Sequence, residues 1–385
     1  MLPTFVSAIT SRALPALFVL GSLTASAPTL LPLPPVPQSA ETDLPTTGVL
    51  AWHSETIGGG GTTALHLYDF RTGRLVSSSN AFGFPNVTNA INPNISPDGT
   101  LLTFMGIRAG VTKKDEQGNT IVTDEWRYFV VPLAHLDAQH TVDITANGSD
   151  FNRVWQDPTF LSNDLIIGKE FTRNGAIRNI VVINTAGKVC ARFRSNGGEE
   201  LSKPILRRRF GKDAIVCWTD AGKASDLAWF YADVEEIRSR RLGVNPRTKT
   251  LTKVKGASRP DLADYYPSPD PTSPAKVLFA RWDATLPGDP DKGYDQVATV
   301  DLETEESKTL RFSRTTVDNS DPAPGGSGQV FFSRNGGSTG YDLYYAPQNG
   351  GSGTAKPLLI PRYSKTRHEL GVAYSSAARL PNPTP

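Results

Sequence analysis

Pro93-Asn94-Ile95-Ser96-Pro97-Asp98-Gly99-Thr100-Leu101-Leu102-Thr103-Phe104 decides the fold of this chain. A proline-led edge enters a tight turn, and a short apolar strand leaves it. Gly99 supplies the positive φ that such a turn requires. Degenerate copies start at Pro158 (ending Leu165-Ile166-Ile167-Gly168), Pro204 (ending Ala214-Ile215-Val216-Cys217-Trp218), Pro267 (ending Val277-Leu278-Phe279-Ala280) and Pro322 (ending Val330-Phe331-Phe332-Ser333). Self-similarity at a long period means one supersecondary unit stacked repeatedly.

Outward from each pair come further strands, rich in aromatic and β-branched residues: Ala64-Leu65-His66-Leu67-Tyr68-Asp69, Asn179-Ile180-Val181-Val182-Ile183, Gln296-Val297-Ala298-Thr299-Val300-Asp301 and Tyr341-Asp342-Leu343-Tyr344-Tyr345. Each unit therefore reads as a four-stranded antiparallel meander. The prolines are unequally spaced, which places variable insertions in a constant frame, at 108–127, at 283–295 and at 227–241, where Ala232–Arg238 predicts a short helix. The ends complete the count. Gly48-Val49-Leu50-Ala51-Trp52-His53 lacks a proline strand before it, and His368-Glu369-Leu370-Gly371-Val372-Ala373-Tyr374 is an orphan. Pairing the two closes a ring and removes an exposed sheet edge. The prediction is an all-β, six-bladed β-propeller, with seven blades as the alternative if an insertion hides one.

The run Pro93-x-x-Ser96-Pro97-Asp98-Gly99 followed by Leu102-Thr103-Phe104 resembles the repeat of TolB-like six-bladed propellers, which also occurs in the propeller of prolyl oligopeptidases. The resemblance spans 48–375 and implies architecture. Neither the extra N-terminal domain of TolB nor the hydrolase domain of the peptidases is expected here, so neither activity transfers.

Among the 385 residues, 40 basic side chains nearly balance 38 acidic ones, against the strongly basic footprint of a nucleic-acid binder. Arg207-Arg208-Arg209 reads as a solvated hairpin turn, or else as a local anion patch. The apolar run Leu14-Pro15-Ala16-Leu17-Phe18-Val19-Leu20-Gly21 after Arg12, with small residues at Ala25-Ser26-Ala27, predicts an export signal over 1–27. A Pro/Ser/Thr-rich leader over 28–47 and one propeller domain over 48–380 follow. The run is too short and too interrupted to span a bilayer, and the expected location is secreted or periplasmic. Cys190 and Cys217 are read equally as a disulfide or as two separate core thiols. Asn86-Val87-Thr88 and Asn147-Gly148-Ser149 match glycosylation sequons.

No motif names a reaction. Gly336-Gly337-Ser338-Thr339-Gly340 matches a nucleophile elbow in letters but joins two strands, and the glycines at 58–61 lack the Lys and helix of a phosphate loop. The spacing of His53, His66, His135, His140 and His368 predicts no metal centre, and no cofactor is expected. Topology supplies a better candidate. Residues before each leading proline converge on one rim of the central channel: Asn92, Asp157, Lys203, Tyr265 with Tyr266, Asp321 and Arg367 with His368, with Arg153, Asp264 and Asp318 slightly further out. The set suits a carbohydrate, with Tyr265, Tyr266 and Trp155 packing on sugar faces and the polar groups meeting hydroxyls. The first expectation is therefore an exported module that binds a carbohydrate or a protein partner at the channel mouth. The alternative is a polysaccharide lyase acting on a uronic-acid-containing glycan. Arg367 or Arg153 would hold the carboxylate there, and His368 or Tyr266 would remove the adjacent proton.

Overall fold

Proline has no amide hydrogen to give to a β-ladder, and at every leading proline of this chain the ladder slips. The pairing with the next strand shifts register between Ile91 and Asn94, Gln156 and Thr159, Ser202 and Ile205, Tyr265 and Ser268, and Ser320 and Ala323. The residue before each proline takes the left-handed conformation, with φ of 50° at Asn92, 57° at Asp157, 44° at Lys203, 51° at Tyr266 and 48° at Asp321. These are β-bulges, which re-aim side chains. The computed structural model describes residues 44–382 except 58–62, 79–86, 109–111, 115–119, 123–124, 146–152, 173–176, 221–224, 241, 256–261, 286–293, 336–339 and 361–366. The expected signal, most of the leader, both sequon asparagines, the glycines at 58–61 and most of the Gly336–Gly340 string lie outside the described residues.

The described chain forms a six-bladed propeller. The first blade orders Arg367–Ser375, Val49–Thr56, Ala64–Asp69 and Arg74–Ser78 from inner to outer strand. The inner strands of blades two to six are Val87–Ile95, Arg153–Phe160, Glu200–Arg209, Leu262–Pro269 and Asn319–Pro324. Ring closure is as predicted, with Val49 opposite Ser375 and Glu55 opposite His368. The seventh blade is absent, because the 108–127 insertion contributes only a two-stranded ribbon, Thr112–Lys114 with Thr120–Val122.

Among the described residues, six apolar clusters hold the ring, one between each pair of neighbouring blades. Side chains alternate along a strand, so Val277 and Phe279 pack against blade four while Leu278 packs against blade six. Each fully buried side chain of this size contributes about 1.5–3 kcal/mol. Gly99 is required twice over: its φ is +73°, and a Cβ there would lie 2.3 Å from the Ala378 backbone nitrogen.

The helix is shorter than predicted, Val234–Arg238, because Asp233 caps it by accepting the Glu235 and Glu236 amides, and Ser225–Tyr231 before it is the third strand of blade four rather than insertion. After the helix, Arg247–Lys249 adds a parallel strand to blade three, and Thr252–Lys253 completes blade four. In the arginine run Arg208 is exposed at the hairpin, as expected, but its two neighbours act as a clamp. Arg207 donates to the carbonyls of Asp270 and Ser273, and Arg209 donates to that of Leu302 and stacks on Trp229, tying blade four to blade five. The two cysteines are separate buried thiols, and burial pushes Cys217 up to about 12.

Candidate functional site at the channel mouth

The bulges bring the pre-proline side chains together at the axis. Asn92 Nδ2 donates to Asp157 Oδ1 at 3.1 Å. Lys203 Nζ lies 4.0 Å from Asp321 Oδ1, across blade five, and 5.2 Å from the centre of the Tyr266 ring. The sixth place belongs to Gly371, with φ of 65°, whose amide donates to Asp321 Oδ2 at 3.1 Å. Here the sequence reading misplaced a position. Without a proline to mark the first-blade bulge, it assigned Arg367 and His368 to the ring. A side chain at 371 has no room, since a Cβ would lie 2.5 Å from His53 Nδ1 and 2.9 Å from Asn92 Oδ1. His53 is buried behind the ring and accepts the Asn92 amide at 3.3 Å. Burial, with Lys203 and His66 adding, drives its imidazole down to about 3, so it stays neutral.

Toward the starts of the inner strands, a hydrogen-bonded belt joins blades five, six and one. The Tyr265 hydroxyl donates to Asp295, and the Asp295 amide donates to Asp318 Oδ1 at 3.0 Å. The Tyr341 hydroxyl donates to Asp318 Oδ2 at 3.4 Å, and the Tyr341 amide donates to His368 Nδ1 at 3.1 Å. Asp318 was expected just outside the ring, whereas Asp295 and Tyr341 are the members that proline spacing missed. Asp295 and Tyr341 stand on third strands, and only the blade stacking carries them to the mouth. The region is acidic. Burial first, then Asp321, Asp157, Asp295 and Glu55, holds the Tyr266 phenol well above its ordinary range. Burial, aided by Asp318 and Asp321 against the Tyr265 hydrogen bond, pushes Asp295 up to about 7.

The three candidate catalytic residues are held in different ways. The Nδ1 lone pair of His368 is taken by the Tyr341 amide, so a neutral ring carries its proton on Nε2 and has no free base. Tyr266 is a neutral phenol. Arg367 is tied to the first blade, with Nε on Ser54 Oγ at 3.0 Å and a terminal nitrogen on the Ser54 carbonyl at 3.2 Å. Three outer candidates also move. Trp155 is buried edge-on against Tyr128. Asp264 is buried in a bidentate pair with Arg281, at 2.8 and 3.1 Å. Arg153 pairs with Glu170 in blade three.

One group among the described residues has the donors for a metal ion: His135, Asp137 and His140, whose ligand atoms lie within 4.8 Å of one another. The i, i+5 histidine spacing gave no signal of it. It sits in the exposed connection after Trp126–Pro132, at the strand ends away from the mouth. His140 Nδ1 bonds Asp137 Oδ1 at 2.7 Å, and the two imidazoles stack.

The sheet order, the ring of bulges and the closing strand define the class: a six-bladed β-propeller with a polar, bulge-lined channel. Similar solved structures include the putative TolB from Agrobacterium tumefaciens, at 13% identity over 85% of this chain and 99% of that one, with a TM-score of 0.48. The β-propeller domain of the Trilobed protease from Pyrococcus furiosus is 12% identical over 82% of this chain and 81% of that one, with a TM-score of 0.44. An oligogalacturonate lyase from Vibrio parahaemolyticus is 12% identical over 82% of this chain and 80% of that one, with a TM-score of 0.45. Likenesses at this level carry no argument about activity. No protein-family model and no curated protein matches the sequence.

Proposed function

We propose that this protein is an exported propeller that binds a neutral carbohydrate at the channel mouth. The belt from Tyr265 through Asp295, Asp318 and Tyr341 to His368 carries this reading. Carboxylates accept hydroxyl protons in charge-assisted hydrogen bonds, and tyrosine offers an apolar ring with a polar tip. Polar groups already bonded to one another are pre-organised and lose little entropy on binding. The acidity supports a neutral ligand over a uronate, because like charges at close quarters repel. The hydrogen bonds of His368 and Arg367 and the raised phenol of Tyr266 argue in the same direction, against β-elimination. No helix among the described residues is long and apolar enough to cross a membrane.

Calorimetric titration of neutral and uronate-bearing oligosaccharides tests the proposal. Wild type is expected to bind a neutral oligosaccharide, and Asp318→Ala to bind it about tenfold more weakly, the loss of one hydrogen bond to a charged group. Equal affinity in the two proteins, or heat only from uronates, would overturn it. Release of an unsaturated uronate, followed by ultraviolet absorbance, would restore the lyase alternative.

A further inference from the structure

A polar cavity lies over blade three, lined from its inner strand to its outer strands, and its chemistry is opposite to that of the mouth. Its volume is about 350 Å³, and Arg153, Arg178, Arg192 and Arg194 all line it. They come from three strands of one blade: Arg153 from the inner strand, Arg178 from Arg178–Asn184, and Arg192 and Arg194 from Val189–Ser195. Behind them the fully buried Glu170 accepts Arg192 Nε at 2.7 Å and a second Arg192 nitrogen at 3.1 Å, and it also pairs with Arg153. Asn179 Nδ2 donates to the same carboxylate at 3.1 Å. Burial alone would raise Glu170, but Arg192, Arg153 and Asn179 together hold it below the usual carboxylate range.

One carboxylate cannot engage two guanidiniums fully, because each carries five N–H donors. Glu170 therefore fixes the planes of Arg153 and Arg192. Arg192 is held from its other side as well, donating to the Val244 carbonyl at 3.0 Å. Arg194 is oriented by Thr248 Oγ1 at 3.1 Å. Arg178 is exposed and has no side-chain hydrogen bond or ion pair among the described residues. The nearby carboxylate, Glu199, is occupied by the Ser195 hydroxyl. Among the described residues, the lining guanidiniums of Arg178 and Arg194 have no carboxylate partner, so the cavity carries positive charge that Glu170 does not meet. Solvated surface arginines are not locked in this way by a buried acid and by backbone carbonyls.

We propose that the blade-three flank is a binding site for a small oxyanion-bearing ligand, a phosphate, sulfate or carboxylate on a body of about monosaccharide size. Planar guanidinium forks match the paired oxygens of such groups, and a cavity of this volume takes a small molecule rather than a bare ion. The site is independent of the mouth and does not rest on the carbohydrate reading.

The experiment is calorimetric titration at low salt with inorganic phosphate, sulfate and glucuronate, on wild type and on Arg178→Ala/Arg194→Ala. Both substituted side chains are clear of Glu170, so the double variant is expected to keep the wild-type melting temperature. Should it fold poorly, Arg178→Gln alone serves. Wild type is expected to saturate at one equivalent with at least one of the three anions, and the variant to bind it at least about tenfold more weakly. Preference for phosphate or sulfate assigns a tetrahedral group, and preference for glucuronate a planar one. Absence of saturable binding by all three, or equal affinity in wild type and variant, would overturn the proposal. A mouth that fails to bind sugar leaves this result untouched.

Discussion

The channel mouth and the blade-three flank solve the problem of concentrated charge in different ways. At the mouth, Asp157, Lys203, Tyr266 and Asp321 come one from each of four blades, and Gly371 and Asn92 complete the circle. No two neighbours are close in sequence, and the acidity exists only because the ring closes. On the flank, Arg153, Arg178, Arg192 and Arg194 stand on strands of one sheet around one buried carboxylate. That cluster needs blade three and little else. The mouth is thus a property of the whole ring and the flank a property of one blade, so perturbations of closure and of blade three should separate them.

The largest effect is expected at Glu170, which is fully buried beneath two arginines. Glu170→Ala removes the buried carboxylate that holds two half-buried guanidiniums and is expected to cost about 3 kcal/mol, read as a lower urea midpoint. Added phosphate should recover part of the loss by standing in for the missing carboxylate. An unchanged midpoint would show that the arginines are solvated and that the flank is not organised by this acid.

Gly371→Ala attacks the mouth instead. The left-handed φ alone costs a residue with a Cβ about 1–2 kcal/mol, and the contact with His53 adds to it. The expected outcome is a loss of about 2–3 kcal/mol, with sugar binding at the mouth weakened and anion binding on the flank retained. Equal damage to both sites would refute their independence.

The smallest effect is a pH dependence. Burial first, then neighbouring acids, raises Asp295 and Glu369 to about 7, and burial with a nearby Asp226 raises Asp264 to about 6 despite its Arg281 partner. A raised carboxyl binds more protons folded than unfolded, so its stabilising contribution is full below about pH 4 and is lost as pH rises toward 7. His53, lowered to about 3, acts oppositely: its contribution is full above about 6.5 and is lost as pH falls toward 3. With three carboxyls against one imidazole, thermal melts should show wild type losing stability between pH 5 and pH 8. Asp295→Asn should flatten that fall and gain about 1–2 kcal/mol at pH 8, with no gain at pH 5. A gain of equal size at both pH values would mean that Asp295 does not titrate in this range.

The repeat from Pro93 to Phe104 and its copies determined the propeller, the number of blades and the closing strand, because alternation and turn chemistry are local and each blade repeats them. They also determined that Asn92, Asp157, Lys203, Tyr266 and Asp321 would meet, since proline marks the bulge at which each turns inward. The sequence was silent where no proline stood, and so Gly371 was passed over for Arg367 and His368. Trp155, Asp264 and Arg153 read alike as polar or aromatic rim residues, yet stacking of the blades decided that one packs in a core, one pairs with Arg281 and one joins Glu170. The joining of Asp295 and Asp318, and of Arg178 and Arg192, was likewise left to the tertiary structure. Side chains on different strands acquire a common environment only after sheets twist and pack, and a linear pattern carries no record of that distance.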